Sequence, residues 1–545
     1  MKVEINAIFK EPALPILLIS LLFMGCYLYL GGYLFVGSVI SGLCLLFFLT
    51  WLLWSFNHAK IPTFINILFL LIVYSPYIEY GKEIGQVRYF GSAYAIDFQQ
   101  YLSVVWSLIT QGVPFKNPYL PTEGSTYHYG FMVPLASILR LSQKTEFYEF
   151  FSLSNYLFIY QIFTAFVFLQ FLALNIFKGN CRRWIFALAI MFIFSSYKWI
   201  YAIFQFFLTH SATGFDTPFG FKTPANDFLF GSHYVFSMLF VLYIFNWLSE
   251  EPKKSHSWRL ISFLAVCFSA FILPAINVFS LFVVAAICMS TLLIFVARKK
   301  TDLPMAVGRA IAASVIPFIS YFGYLFFVNS STNQGGIYFS FSIYSFFLVI
   351  FSLIINFGPL IYFFLKGARK HNKNWLNGLI SVVILIIFIA TFRISSGIEL
   401  DDSFNVSRRL GTSIGWLMLI VSDISLPLGF IRWLIYPAAL TFIIQYFAFF
   451  ILDFKIDSRN ERVDNNLFNA QVPYYFSREA WSQTGRVSFN FNLILGDRAC
   501  GSPNSIAATR YTRNFVLSEE QAPINKCLQK DAKEIIFKDG VFRIR

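Results

Sequence analysis

Charge is what this sequence has least of. Only 13% of its 545 residues are Asp, Glu, Lys or Arg, against roughly 25% in a soluble globular chain. That scarcity excludes a soluble enzyme and a solvated, disordered chain, both of which need polar surface. Cysteine is scarce too. There are seven, in no spacing that resembles a zinc site, which excludes a disulfide scaffold and a zinc module. The chain also lacks a Walker loop, a Rossmann glycine pattern and an HExxH motif, so nothing marks a nucleotide site. What fills the sequence instead is apolar: 57% hydrophobic residues, 20% aromatic, with 69 Phe. Runs of roughly 20 apolar residues recur, the length that crosses a bilayer as a helix. The expected fold class is therefore an α-helical polytopic membrane protein. The formal charge of +14 does not call for nucleic acid. In such a protein Lys and Arg mark cytoplasmic loops and meet anionic head groups, so membrane lipids are the expected partners.

Hydropathy places spans near 13–30, 33–56, 61–80, 155–177, 184–207, 231–248, 260–273, 278–297, 306–328, 339–365, 375–392, 411–422 and 433–452, about thirteen in all. The stretch 258–297 is divided at Pro274 and Asn277. One set of alternating loops is basic: Lys2 and Lys10, Lys60, Lys178 with Arg182 and Arg183, Lys253 to Arg259, Arg298 to Lys300, and Lys366 to Lys373. The other set, 81–154, 208–230, 329–338 and 393–410, is longer and mixed in sign. Positive charge stays inside, so the N-terminus is expected in the cytoplasm and the mixed loops outside. Two domains follow: a multi-span domain over 1–454, with outer loop 81–154, and a small extracytoplasmic domain over 455–545. In the latter, charges return and alternation over 486–495 reads as strand, giving a β or α/β fold. Its only cysteines, Cys500 and Cys527, are expected to pair in an oxidising compartment, which is worth roughly 3 kcal/mol in the chain-entropy account. Cys26, Cys44, Cys267 and Cys288 sit in apolar runs as filling residues.

The first large outer loop carries the most chemistry. Asp97 precedes a short helical pattern in which Phe98, Tyr101, Leu102, Val105, Leu108 and Ile109 share one face. Gly112 and Pro114 end it. At about 14 residues it is too short to span and suits the membrane interface. Asp97 can act as an N-cap, and capping is compatible with a fixed, ionised carboxylate that serves a reaction. Asn117-Pro118 and Ser125-Thr126-Tyr127-His128-Tyr129-Gly130 follow, then an apolar run that re-enters the membrane. His128 can carry a proton or bind phosphate oxygens. Tyr127 and Tyr129 suit an interface on amphipathic grounds alone.

This stretch, an Asp before a short helix, then Gly-x-Pro, Asn-Pro and Tyr-His-Tyr-Gly, resembles bacterial membrane glycosyltransferases of the GT-C superfamily. The resemblance covers about 45 residues of loop, together with the plan of many spans and an outer C-terminal domain. It implies a polyprenyl-phosphate-linked sugar donor, transfer on the outer face of the bacterial cytoplasmic membrane, and a glycan, lipid or protein acceptor. It also implies an acidic residue in the first large outer loop that serves the acceptor hydroxyl, and Asp97 is the match. Some relatives have a His in the helix after the Asp, where this chain reads Phe98-Gln99-Gln100-Tyr101.

Two further outer loops hold candidate substrate-binding groups. Loop 208–230 has His210, Asp216, Lys222, Asn226 and Asp227, with His233 at its exit. Loop 393–410 has Glu399, Asp401, Asp402, Arg408 and Arg409. Arginine meets phosphate bidentately, so Arg408 and Arg409 are candidates for a lipid phosphate, although Asp401 and Asp402 can also neutralise them. Asp216, Asp227, Asp401 and Asp402 are alternates to Asp97 as the acidic residue. Spacing assigns no metal to these carboxylates, and no cofactor is called for; a divalent metal stays open. Two other classes compete with transfer. A flippase would place ionisable groups inside spans and show inverted repeats, whereas these spans are nearly free of charge. A polysaccharide polymerase or ligase shares the many spans and the outer-loop arginines.

Overall fold

The computed structural model describes residues 9–74, 129–142, 150–193, 232–249, 256–297, 303–328, 336–339, 343–368, 373–395, 400–401 and 403–424, short pieces between 83 and 124, and five strands between 474 and 544. Helices dominate. The first, α1 (Ala13–Leu30), runs antiparallel to α2 (Leu34–His58). Their turn is a Schellman motif: Tyr33 N donates to Leu28 O at 3.0 Å and Gly32 N to Tyr29 O at 3.3 Å. Gly32 supplies the φ of +97° that this closure needs. Next come α3 (Lys60–Tyr74), the short α4 (Val133–Leu141) behind a 3₁₀ turn at Gly130–Met132, and α5 (Phe150–Phe171), which passes into a π segment at Leu172–Ile176. They are followed by α6 (Cys181–Leu188), α7 (Ser232–Ser249), α8 (His256–Ile276), α9 (Ser280–Ala297) and α10 (Leu303–Val328). The last are α11 (Ile343–Gly367), α12 (Lys373–Thr391) and α13 (Ser403–Val421).

Seven described helices are long and apolar enough to cross a membrane, or eight if the bent pair within α11 counts as one span. Four shorter apolar helices accompany them: Lys60–Tyr74, Gly130–Leu141, Val307–Gly323 and Leu410–Val421. The chain is thus a multi-pass helical membrane protein. The expected span at 433–452 lies outside the described residues, as does the 194–207 part of the span expected over 184–207. Helix α7 is apolar on every side and buried along nearly its whole length, so it forms the centre of the bundle. Helices α2 and α3 expose rows of Leu, Ile and Phe, the face a bilayer would cover.

Three boundaries differ from the sequence expectation, each for a local reason. Helix α8 continues through Pro274 to Ile276, and Asn277 follows it. There the Asn277 carboxamide accepts from Phe279 N at 3.1 Å and donates to Ser237 Oγ at 3.0 Å, so the side chain makes the turn in place of helical backbone. Helix α11 bends by 95° around Phe357, whose backbone is not helical, just before Gly358-Pro359. Helix α13 begins at Ser403, so Arg408 and Arg409 belong to a helix and not to the preceding loop. No Pro or Gly stands between Ser403 and Leu410 to stop it sooner.

Buried polar networks tie helices together. Gln170 of α5 donates to Thr63 Oγ1 at 2.8 Å and to Ser55 Oγ at 3.3 Å, and accepts from Asn66 Nδ2 at 3.0 Å. Asn66 in turn accepts from Trp184 Nε1 at 2.7 Å. This set joins α2, α3, α5 and α6. A second joins α7, α9 and α12. There Asn377 Nδ2 donates to Ser249 Oγ and Thr291 Oγ1, Ser290 donates to Asn377 Oδ1, and Ser290 meets Ser381 at 2.8 Å.

Short strands occupy the connections. β1 (Glu83–Ile84) pairs with β2 (Val87–Arg88), and β3 (Lys116–Asn117) with β4 (Leu120–Gly124), all antiparallel. β5 (Gly336–Phe339), β6 (Phe392–Ser395) and β7 (Leu400–Asp401) form one antiparallel sheet, which joins the connections before α11 and before α13. In the tail, β8 (Tyr474–Phe476), β9 (Ile494–Leu495), β10 (Asn514–Val516), β11 (Ile535–Lys538) and β12 (Val541–Ile544) pair in the order β11-β12-β10-β8-β9. The β8 pairings are parallel and the β12 pairings antiparallel. Of the strand expected over 486–495, only Ile494–Leu495 is among the described residues.

Candidate functional site

The described parts of loop 81–154 are fixed to the bundle at several points. Tyr101, Val104, Val105, Leu108 and Ile109 have helical backbone and are all buried. Their spacing is that of one helix face. This face is covered by protein. Gly112 closes the helix, its amide donating to Leu108 O at 3.0 Å. Its φ is +77°, and a Cβ there would lie 2.4 Å from Leu30 O, so only glycine fits. The next amide, Val113 N, donates to Leu30 O at 3.2 Å. That carbonyl belongs to the last turn of α1, which has no partner within its own helix.

At the other end of this helical stretch, the Tyr101 hydroxyl is hydrogen-bonded to Nδ1 of His233 at 3.1 Å, both side chains being buried. His233 stands in the first turn of α7, directly after loop 208–230. Its ring lies among aromatic neighbours: Tyr234 at 4.0 Å between ring centres, Tyr101 at 5.7 Å and Phe131 at 6.4 Å. Tyr160 of α5 donates to Phe131 O at 2.6 Å. Tyr129 is buried with its ring 6.1 Å from that of Tyr27 in α1. Gly130 presses on α8: a Cβ would meet Ala275 C at 2.7 Å and Ala275 O at 2.8 Å. The loop residues after His128 are therefore wedged between α1, α5 and α8.

Among the expected site residues, Tyr129 is the one whose side chain is described at this place. Asn117 contributes backbone to β3, where the register shifts between Lys116 and Asn117. Asp401 pairs through β7 with Ile394. Arg408 and Arg409 lie on α13. Asp97, Tyr127, His128, His210, Asp216, Lys222, Asp227, Asp402, Cys500 and Cys527 lie outside the described residues. His233 was read in the sequence only as the exit of a loop. Its signal was a histidine in the first turn of a helix that follows a polar loop, which periodicity does not separate from a filling residue.

The opposite end of the bundle is different in kind. Helix α6 is capped by Asn180, which accepts from Arg183 N at 3.1 Å. Asp423 N donates to Phe363 O at 3.1 Å after α13. Phe177, Arg183, Gly367 and Asp423 line a cavity of about 210 Å³ there. Lys60, Lys178, Arg182 and Lys366 belong to the turns of this end. Among the described residues, no group of three or more His, Cys, Asp or Glu side chains could hold a metal ion. Comparison with known proteins gives no match: no family model, no curated protein and no solved structure is similar to the chain.

Proposed function

We propose that this protein is a GT-C-type glycosyltransferase of the bacterial cytoplasmic membrane, moving a sugar from a polyprenyl-phosphate carrier to a glycan, lipid or protein acceptor on the outer face. The observation that carries the reading is the loop from Asp97 to Gly130, with its Asp, Gly-x-Pro, Asn-Pro and Tyr-His-Tyr-Gly pattern. The docking of its Tyr101–Val113 and Tyr129–Gly130 portions on one end of the bundle supports it, because a loop that holds reacting groups needs a rigid base. In this reading the chain has about thirteen spans, an inner N-terminus and an outer tail domain over 455–545 bridged by Cys500 and Cys527. Asp97 accepts the proton of the acceptor hydroxyl as that oxygen bonds to the anomeric carbon. The bond from that carbon to the phosphate oxygen breaks, and its electron pair leaves with polyprenyl phosphate. His128, Arg408 and Arg409 stabilise the departing phosphate, with His210 and Lys222 as further binding groups.

Asp97→Asn tests this. It keeps size and much of the capping ability while removing the base. Transfer from a polyprenyl-phosphoryl hexose or pentose should fall about 100- to 10,000-fold, with binding of the carrier largely kept. If Asp97 were a cap alone, the change would cost at most about 1 kcal/mol of stability. Near-normal transfer by folded Asp97→Asn protein would move the search to Asp216, Asp227, Asp401 and Asp402.

A further inference from the structure

We propose that the groove between α3 and α5 is a lipid site: it holds one acyl chain of an anionic phospholipid from the leaflet at the basic end of the bundle, and the phosphate of that lipid meets Lys60. The proposal is independent of the glycosyltransfer reading.

The groove has a volume of about 360 Å³. Leu70 and Tyr74 of α3 and Phe166 of α5 are its buried floor. Ile67 and Leu71 on one side, with Ile159 and Phe163 on the other, are its exposed mouth. The two helices run antiparallel: Tyr74 meets Phe158 at 5.7 Å between ring centres, and Gln170 bonds to Thr63 and Asn66. Phe56 of α2 closes the end on the Lys60 side, its ring stacked on Phe166 at 5.5 Å.

A concavity open to a bilayer does not stay empty, because its walls would lose their dispersion contacts. Apolar walls keep water out. A helix is a poor filler too. Helices that meet in a bilayer do so over Gly, Ala, Ser and Thr, whereas every side chain lining this groove is Phe, Tyr, Leu or Ile. A flexible chain fits where a rod does not. The mouth is continuous with the exposed rows of Leu, Ile and Phe on α2 and α3, the face a bilayer would cover.

Charge and depth choose the lipid. Lys60 is the first residue of α3 and is exposed. Lys60, Phe64, Ile67 and Leu71 recur at three to four residues, so they share one exposed stripe. At a rise of about 1.5 Å per residue, Ile67 stands about 10 Å above Lys60 and Leu71 about 16 Å. A phospholipid chain reaches about 15 Å inward from its head group, half of the hydrocarbon core. A lipid with its phosphate at Lys60 therefore lays its chain past Phe64 and into the groove. The positive charge selects an anionic head group over a zwitterionic one.

The test puts a photo-reactive benzoylphenylalanine in place of Phe163. The full-length protein is reconstituted in nanodiscs of equimolar phosphatidylcholine and phosphatidylglycerol. Phe47, exposed on α2 and outside the groove, carries the same probe as control. Mass spectrometry of the adducts should show phosphatidylglycerol enriched about 5-fold at Phe163, the factor of one Lys at an anionic surface, and not at Phe47. Lys60→Gln should abolish the enrichment at Phe163. Equal lipid ratios at the two positions overturn the proposal, as does enrichment that survives Lys60→Gln. Adducts to residues 433–452 in place of lipid overturn it too, since the chain itself would then cover the groove. In discs that also hold polyprenyl phosphate in equal amount, preferential labelling of the polyprenyl chain overturns the phospholipid assignment, whether or not the protein transfers sugar. If the Phe163 protein does not fold, the probe moves to Ile159, which is 61% exposed.

Discussion

Gly130 shows how much a single position can settle. It ends the Tyr-His-Tyr-Gly run, and its missing side chain lets the loop lie against backbone atoms of Ala275. Backbone cannot yield as a side-chain tip can. Gly130→Ala is therefore expected to cost about 1–3 kcal/mol through overfilling, read as a lower midpoint in detergent unfolding. Gly42→Ala is the matched control, since nothing lies within 4 Å of a Cβ there; on α2 it should be neutral or gain up to about 1 kcal/mol. Equal stability of the two variants would refute the wedge. Gly112 was legible as a stop from sequence because glycine and proline punctuate helices. Gly130 was legible only as part of a motif. The reason it must be glycine lies in a helix about 145 positions away, which no local pattern reports.

The helices show the same limit. Their existence was readable because runs of apolar residues leave the backbone no other way to satisfy itself in a bilayer. Where they end was read less well. Of the two residues expected to divide 258–297, Asn277 makes the break, because it finds Ser237 on a different helix, while Pro274 stays inside α8. The apolar face that begins at Tyr101 is covered by protein, which periodicity could not report, since it shows an apolar face but not what covers it. Polar residues inside spans had no reading at all, yet they select neighbours. Gln170→Leu strips three hydrogen bonds from Ser55, Thr63 and Asn66. Interhelical bonds in membranes average only about 0.6 kcal/mol each, so a loss of about 2 kcal/mol is expected, measured as the SDS-unfolding midpoint. The pair Gln170→Leu with Asn66→Leu should lose less than the sum of the single changes, because removing both partners leaves fewer orphaned groups. Wild-type stability of Gln170→Leu would show that the network carries no net energy.

Across the whole chain, contacts sort the loops into two groups. The α1–α2 turn, the segments around Gly112 and Gly130, the start of α7 and the α8–α9 turn meet one another. The basic turns near Lys60, Lys178 and Lys366 belong to the elements of the opposite end. Charge bias supplies the topological prediction. A reporter fused at Lys370 should read as cytoplasmic and one fused after Arg545 as extracytoplasmic. A cytoplasmic signal from the tail would mean that the span count is wrong by one. The candidate chemistry was less legible than the plan. Most of its carboxylates fall in long polar stretches of the sequence, where neither period nor burial constrains a side chain, and its arginines were read there too although they belong to a helix. Only where such a loop touches the bundle, as at Tyr101 and Tyr129, does the fold assign it a place.

The Asn66–Gln170 bond also sets a clock. The two residues are 104 positions apart, and Trp184 reaches Asn66 from 118 positions away. At a synthesis rate of about 5–20 residues per second, α3 emerges roughly 5 to 20 s before α5 offers its amide. During that interval the carboxamide of Asn66 and the hydroxyl of Thr63 have none of their later partners, in a helix of only 15 residues. Translation speed between residues 75 and 170 thus becomes a quantity on which correct assembly depends, and α3 must be kept beside the insertion machinery until the fifth helix arrives.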